Sequence, residues 1–243
     1  MAPPADRNTT AEIVLSGPGK NALGTALMTR VRDDLAHAAA RPVLLRGEGD
    51  AFSAGLNLKE VAGLDPDGMR RFLGLLEDLV LDLYTYPGPL VASINGHAIA
   101  GGCVLALACD LRIVAENPKL RIGLNEVALG VRYPPRVMAL VRDRVPRRAL
   151  ERVVLGAELH SPERAQELGL VDEISAEPET AARARLDALA RHPADAYRAA
   201  KLSLRKNVLG PTPEAQARFE HDDLPVWTSD QVKAQLRTML GSK

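Results

Sequence analysis

Through its first half this chain alternates short apolar runs with helical stretches, and that alternation limits the folds open to it. Glu12–Leu15, Val43–Leu45, Leu90–Ile94 and Leu111–Ala115 read as strands. Between the first two, Leu23, Leu27, Val31 and Leu35 recur at helical spacing. A longer stripe of Phe72, Leu75, Leu76, Leu79, Val80 and Leu83 follows, and Pro87-Gly88-Pro89 ends it. Strands separated by helical crossovers require an α/β fold with a sheet. Ala51–Glu60, small and apolar, reads as a loop.

The second half reads as mostly helical. Ser161-Pro162 and Thr212-Pro213 are cap-then-proline helix starts. Helices are predicted over Pro146–Leu155, Pro162–Leu168, Glu179–Arg191, Ala194–Asn207, Glu214–Pro225 and Asp230–Leu240. The run Arg142, Asp143, Arg144, Arg147 and Arg148 reads as a solvated charged face, and Trp227 as a packing anchor. No internal repeat or low-complexity linker is evident. The change of character near Arg144 is the one boundary candidate, with Gly156–Ile174 packing back on the first part.

Composition excludes several classes. With 243 residues, 46% of them hydrophobic and only 3% aromatic, Leu, Val and Ala must fill the core. Lys plus Arg and Asp plus Glu both number 31, so net charge supports neither nucleic acid nor an anionic membrane as partner. Cys103 and Cys109 stand six apart on one predicted helix, with no metal-ligand spacing; they read as small buried hydrophobes in a reducing compartment. Met1–Thr10 carries no signal or transit pattern, and no apolar run reaches membrane-spanning length. The expectation is a soluble cytoplasmic protein.

Three segments can carry chemistry. Gly101-Gly102 follows a strand and opens a helix, so the backbone N–H of Gly101 can approach an oxyanion, although small-residue packing also explains such a turn. Ser53-Ala54-Gly55-Leu56 can supply a second donor from Leu56, or simply pack. Glu126, among Ile122, Gly123, Leu124, Val127, Ala128 and Leu129, is either a desolvated general base or a surface residue in a loop. A second carboxylate one turn into the helix would stand at Val104. Asp110 and His97 read as structural, and neither a phosphate-binding loop nor a dinucleotide fingerprint is present.

Taken in order, these segments resemble the crotonase (enoyl-CoA hydratase/isomerase) superfamily. Ala51–Lys59 is similar to its first oxyanion loop, and Ile94–Gly102 with Leu105–Ile113 to its second. Asn21-Ala22-Leu23 resembles the early CoA-contacting motif, and Ala165–Asp172 the A-x-x-x-G-L-V-D signature. The resemblance implies a spiral of ββα units over residues 1–190 and a helical trimerising region over 191–243. It implies a homotrimer or homohexamer acting on an acyl-CoA thioester, with coenzyme A arriving as part of the substrate and no separate cofactor or metal. The N–H groups of Leu56 and Gly101 would hold the thioester oxygen. Ala22, Leu23, Ser53, Ala54, Gly55, Gly102 and Val104 would lie along the substrate, with Gly63–Phe72 lining the acyl pocket.

One departure narrows the reaction. The first of the hydratases' two glutamates matches Val104; the second matches Glu126. The glycine-rich run that follows in hydratases is replaced by Gly130-Val-Arg-Tyr-Pro-Pro135. The stretch from Gly101 to Gly130 is more similar to the mitochondrial-type Δ3-Δ2-enoyl-CoA isomerases, which use one glutamate. The resemblance therefore implies an isomerase, with a hydratase, another thioester-enolate reaction (decarboxylation, hydrolysis) or a non-catalytic CoA-binding scaffold as alternatives.

Overall fold

The computed structural model describes residues 9–205 and 210–241. Among these residues, eight strands form two parallel sheets. β1 (Ala11–Leu15), β2 (Val43–Gly47), β4 (Leu90–Ile94), β6 (Leu111–Ala115) and β8 (Glu173–Ser175) lie side by side in the larger sheet. β3 (Ala51–Ser53), β5 (His97–Ile99) and β7 (Ile122–Gly123) form the smaller one. The pairs β2–β3, β4–β5 and β6–β7 each place one strand in each sheet and are followed by helix, so the chain advances as a spiral of ββα coils. β3 and β5 are too short for periodicity to reveal. β3 lies in a stretch read as loop, and β5 directly follows the Asn95-Gly96 turn.

The larger sheet is covered on both faces, as parallel sheets are. In it Ile13, Leu15, Leu45, Ala92, Ile94 and Val114 enter the main core. Leu44, Val91 and Ile113 point the other way, against Ala182 and Leu186 of the Pro178–Ala190 helix. The stripe around Phe72 lies on the Pro66–Tyr84 helix, with Met69, Phe72, Leu73, Leu76, Leu79, Val80 and Leu83 all buried. Asp65 caps that helix, accepting the Gly68 N–H at 2.6 Å, and Pro66 opens it.

Successive coils touch backbone to backbone. A Cβ on Gly96 would lie 2.1 Å from the Asp50 carbonyl oxygen of the preceding coil, and within that coil one on Gly47 would lie 2.0 Å from the Ala51 carbonyl oxygen. Asn95 stitches the same turns: its Oδ1 accepts the Gly47 N–H at 3.0 Å and its Nδ2 donates to Gly49 O at 2.9 Å.

The later helices follow the expected order with shifted ends: Arg147–Gly156, Pro162–Glu167, Pro178–Ala190, Ala194–Arg205 and Asp230–Gly241. Asn207, the expected end of one of them, lies outside the described residues, as do the first eight residues of the Met1–Thr10 segment. The expected Glu214–Pro225 helix is Pro213–Arg218, then a π turn over Phe219–Asp223, then Leu224–Trp227. A Pro135–Arg144 helix adds to the expected set. The solvated reading holds for Arg142, Asp143, Arg147 and Arg148, which are exposed, and fails for Arg144. Arg144 reaches inward and donates to the carbonyls of Leu107 at 3.0 Å and Cys109 at 2.9 Å, and Asp143 accepts the Tyr84 hydroxyl.

Asp110 is structural, but through charge as well as turn geometry. Its Oδ2 accepts the Leu90 N–H at 2.8 Å and the Tyr197 hydroxyl at 2.7 Å. Its Oδ1 lies 2.8 Å from Lys201 Nζ and 2.9 Å from Arg205 Nη2. Both cations come from the Ala194–Arg205 helix and are buried. Burial pushes the Lys201 ammonium down to about 8, against the pull of Asp110.

Two stability measurements test these contacts. Asp110→Ala leaves two buried cations without their counter-charge and should cost about 3–5 kcal/mol in urea unfolding. Gly96→Ala forces a methyl into the Asp50 carbonyl and should cost about 2–3 kcal/mol in the same assay. Unchanged midpoints would remove either contact from the account.

Candidate active site

The smaller sheet brings the three candidate segments together. Ala98 N donates to Arg121 O at 3.0 Å and Ala100 N to Gly123 O at 2.8 Å, which ties β5 beside β7. The chain leaving β7 therefore places Asn125 and Glu126 beside the chain leaving β5, which is Ala100-Gly101. Ala100 has φ +49° and ψ −119°, an unfavourable backbone for a residue with a side chain. That reversal starts the Gly101–Ala108 helix, all eight residues of which are buried.

The Ser53–Leu56 loop packs on this helix start. Gly55 has φ +87°, and a Cβ on it would lie 2.8 Å from Ile99 O and 3.4 Å from Gly101 N. A Cβ on Gly102 would lie 2.4 Å from Ser53 O. Leu23 pairs with Leu56 as a parallel bridge: Leu23 N donates to Gly55 O at 2.7 Å and Asn57 N to Leu23 O at 3.0 Å. In that geometry the Leu56 N–H points away from Leu23. Gly101, first in its helix, has an N–H with no intrahelical acceptor. The helix dipole adds positive potential at this end, while Arg144 sits on its C-terminal carbonyls.

A cavity of about 270 Å³ opens here. Of the residues singled out in the sequence, Ala54, Leu56, Gly101, Val104 and Glu126 line it. Ala22, Leu23, Ser53, Gly55 and Gly102 do not line it. Ser53 is fully buried, its hydroxyl donating to Asn21 O at 2.8 Å and accepting the Gly55 N–H at 3.2 Å. None of Gly63–Phe72 lines the cavity; its far wall is Leu76, Val137, Trp227, Leu236, Met239 and Leu240. Trp227 does anchor packing, and its indole N–H also donates to Arg132 O at 3.1 Å. His97 is structural, its Nδ1 accepting the Arg121 N–H at 3.0 Å.

Glu126 is 8% exposed, so the surface reading of it fails. Its carbonyl accepts the N–H groups of Leu129 at 3.0 Å and Val131 at 3.2 Å, closing a tight turn. Burial pushes its carboxyl up to about 7. The opposing pull is a hydrogen bond of 2.8 Å donated by the Tyr133 hydroxyl to Oε2. Sequence inspection notes the unusual Gly130–Pro135 run but assigns Tyr133 nothing, because only the turn's closure brings it back onto Glu126. Among the described residues lining the cavity, Glu126 is the sole carboxylate, and Val104, 1% exposed, stands where a second would.

The raised carboxyl has a thermodynamic signature. Between about pH 4.5 and 7 the folded chain holds a proton on Glu126 that the unfolded chain has lost. This contribution is full below the unfolded value and declines as pH rises through the window. Wild type should lose about 3 kcal/mol more than Glu126→Gln between pH 4.5 and 8 in urea unfolding. Parallel pH profiles would show an ordinary carboxyl.

Comparison with known proteins converges on one family. Residues 5–236 match the model of the enoyl-CoA hydratase/isomerase family. The chain is 37% identical to mouse mitochondrial enoyl-CoA delta isomerase 1 over 180 residues, covering 72% of this chain and 62% of that protein. It is 40% identical to a putative enoyl-CoA hydratase of Thermus thermophilus over 147 residues, covering 59% and 57%. The chain thus spans about half to three-fifths of the length of such curated relatives. The crystal structure of human mitochondrial Δ3-Δ2-enoyl-CoA isomerase superposes with a TM-score of 0.86 at 28% identity, covering 96% of this chain and 93% of that one. The two-sheet spiral, the cavity and the family match agree: this chain belongs to the enoyl-CoA hydratase/isomerase family of the crotonase superfamily.

Proposed function

We propose that this protein moves the double bond of a 3-enoyl-CoA into conjugation, giving 2-enoyl-CoA. The observation that carries the proposal is the single carboxylate in an otherwise mostly apolar cavity, beside a helix start with free N–H capacity. The thioester oxygen sits between the N–H groups of Leu56 and Gly101. Glu126 takes a proton from C2, and the C2–H electrons delocalise through C3=C4 and the carbonyl as a dienolate. The negative charge rests on the oxygen, where each donor is worth roughly 10²–10³ in rate. Protonated Glu126 then delivers its proton to C4, and the double bond settles between C2 and C3.

One carboxyl suffices because the acid formed in the first step is the acid used in the second. A carboxyl near 7 suits that exchange at neutral pH, since it both accepts and releases a proton readily. Val104 in place of a second carboxylate leaves no pair to hold an attacking water. The backbones of Ala22, Leu23, Ser53, Ala54, Gly55 and Gly102 frame the CoA side, and no metal or redox partner enters the step. Exposed Leu155 and Leu204 are apolar surface that a homotrimer or homohexamer would cover. A cytoplasmic location belongs to the same proposal; among the described residues no helix is long and apolar enough to cross a membrane.

Water addition is the second reading, favoured by the likeness to the Thermus thermophilus protein. Ultraviolet absorbance separates the two. With 3-enoyl-CoA substrates of several lengths, conjugation should appear with wild type and fall roughly 10³-fold in Glu126→Gln. No conjugation at any length would sink the isomerase reading. Hydration of 2-enoyl-CoA as fast as isomerisation would replace it.

A further inference from the structure

We propose that Tyr133 is the positioning residue for Glu126: its hydroxyl grips one carboxylate oxygen and leaves the other turned to the reacting carbons. The proposal rests on the acid/base reading of Glu126 given above.

The grip is geometric. The Tyr133 hydroxyl donates to Glu126 Oε2 at 2.8 Å, and both side chains line the cavity. Tyr133 is itself held from three sides. Pro134 follows it, which confines its backbone to the extended region. The Pro135–Arg144 helix begins immediately after. The Trp227 indole N–H holds the carbonyl of Arg132, one residue before. On the other side, the turn closed by the Glu126 carbonyl makes donor and acceptor parts of one hydrogen-bonded segment.

The chemistry needs such a grip. A glutamate side chain has several rotatable bonds, and the walls around this one are mainly apolar. Val104 lines the same cavity, and among its described lining residues no second carboxylate shares a water or proton with Glu126. An anchored Oε2 leaves Oε1 as the one oxygen that serves both C2 and C4, so proton removal and return use a single preset geometry.

The surrounding groups give Tyr133 a measurable effect. Cys103, on the Gly101–Ala108 helix, is buried with its thiol pushed up to about 12, so it is neutral. Asn125 is uncharged. Arg132 is half-exposed, with its Nε 3.7 Å from Asp223. Tyr133 donates to the charged form of Glu126 and so opposes the effect of burial. Removing the hydroxyl must therefore raise the carboxyl's affinity for a proton.

Tyr133→Phe tests this, since it keeps the ring and its packing. Kinetics with a 3-enoyl-CoA from pH 6 to 9 give kcat and KM. Infrared difference spectroscopy of the Glu126 carboxyl, assigned with Glu126→Gln, reads the same titration without turnover. We expect KM to change less than about twofold and kcat at pH 7 to fall roughly tenfold. The acid limb of kcat and the carboxyl band should both move up by about one pH unit. An unmoved limb and band would overturn the proposal. If wild type isomerises no 3-enoyl-CoA, the isomerase reading fails, and the band still decides whether Tyr133 governs Glu126.

Discussion

The contact between successive coils is the constraint on which this molecule depends. Where the chain leaves the larger sheet and enters the smaller one, the Asp50 carbonyl occupies the place a Gly96 side chain would take. Asn95 then replaces, with two hydrogen bonds to Gly47 and Gly49, part of what ladder pairing provides elsewhere. This close stacking lets strands of two or three residues form a sheet at all. That small sheet in turn aligns the exits of β3, β5 and β7, from which Leu56, Gly101 and Glu126 come. The site is thus a by-product of coil pitch: three loops meet because three coils are spaced at strand distance.

Two buried carboxylates flank the same short helix and are treated in opposite ways. Asp110, beyond its C-terminus, is met by Lys201, Arg205, a phenol and a backbone N–H. Glu126, near its N-terminus, is met by one phenol and mostly apolar walls. The first arrangement joins the Ala194–Arg205 helix to the core through ion pairs. The second leaves the protonation state open near neutrality. The difference lies in whether cations from distant helices reach the oxygen, which no local reading of either residue reveals.

The larger architecture is legible in the residues. Apolar runs such as Leu90–Ile94 and the helical stripe around Phe72 survive because each is long enough to show its period. The segments that escape detection are short or depend on contact. β3 and β7, three and two residues long, are below any periodic signal. The Pro135–Arg144 helix hides behind two prolines and a run of arginines, one of which, half-buried, turns inward to cap another helix. Within the site, glycine turns and the isolated Glu126 can be singled out by composition. Tyr133 and the cavity's far wall cannot, since Trp227, Leu236, Met239 and Leu240 arrive from about a hundred residues downstream.

That wall has an implication for how such a chain diversifies. The groups around Glu126 belong to coils whose backbones interlock, so substitution there disturbs several turns together. Leu236, Met239 and Leu240 sit instead on the last helix, Asp230–Gly241, outside the sheet ladders. Exchanging them for larger or smaller side chains would resize the cavity while leaving the coil register untouched. The reaction centre and the gauge of what fits beside it are therefore separable by mutation, and a lineage can retune one while the other stays constant.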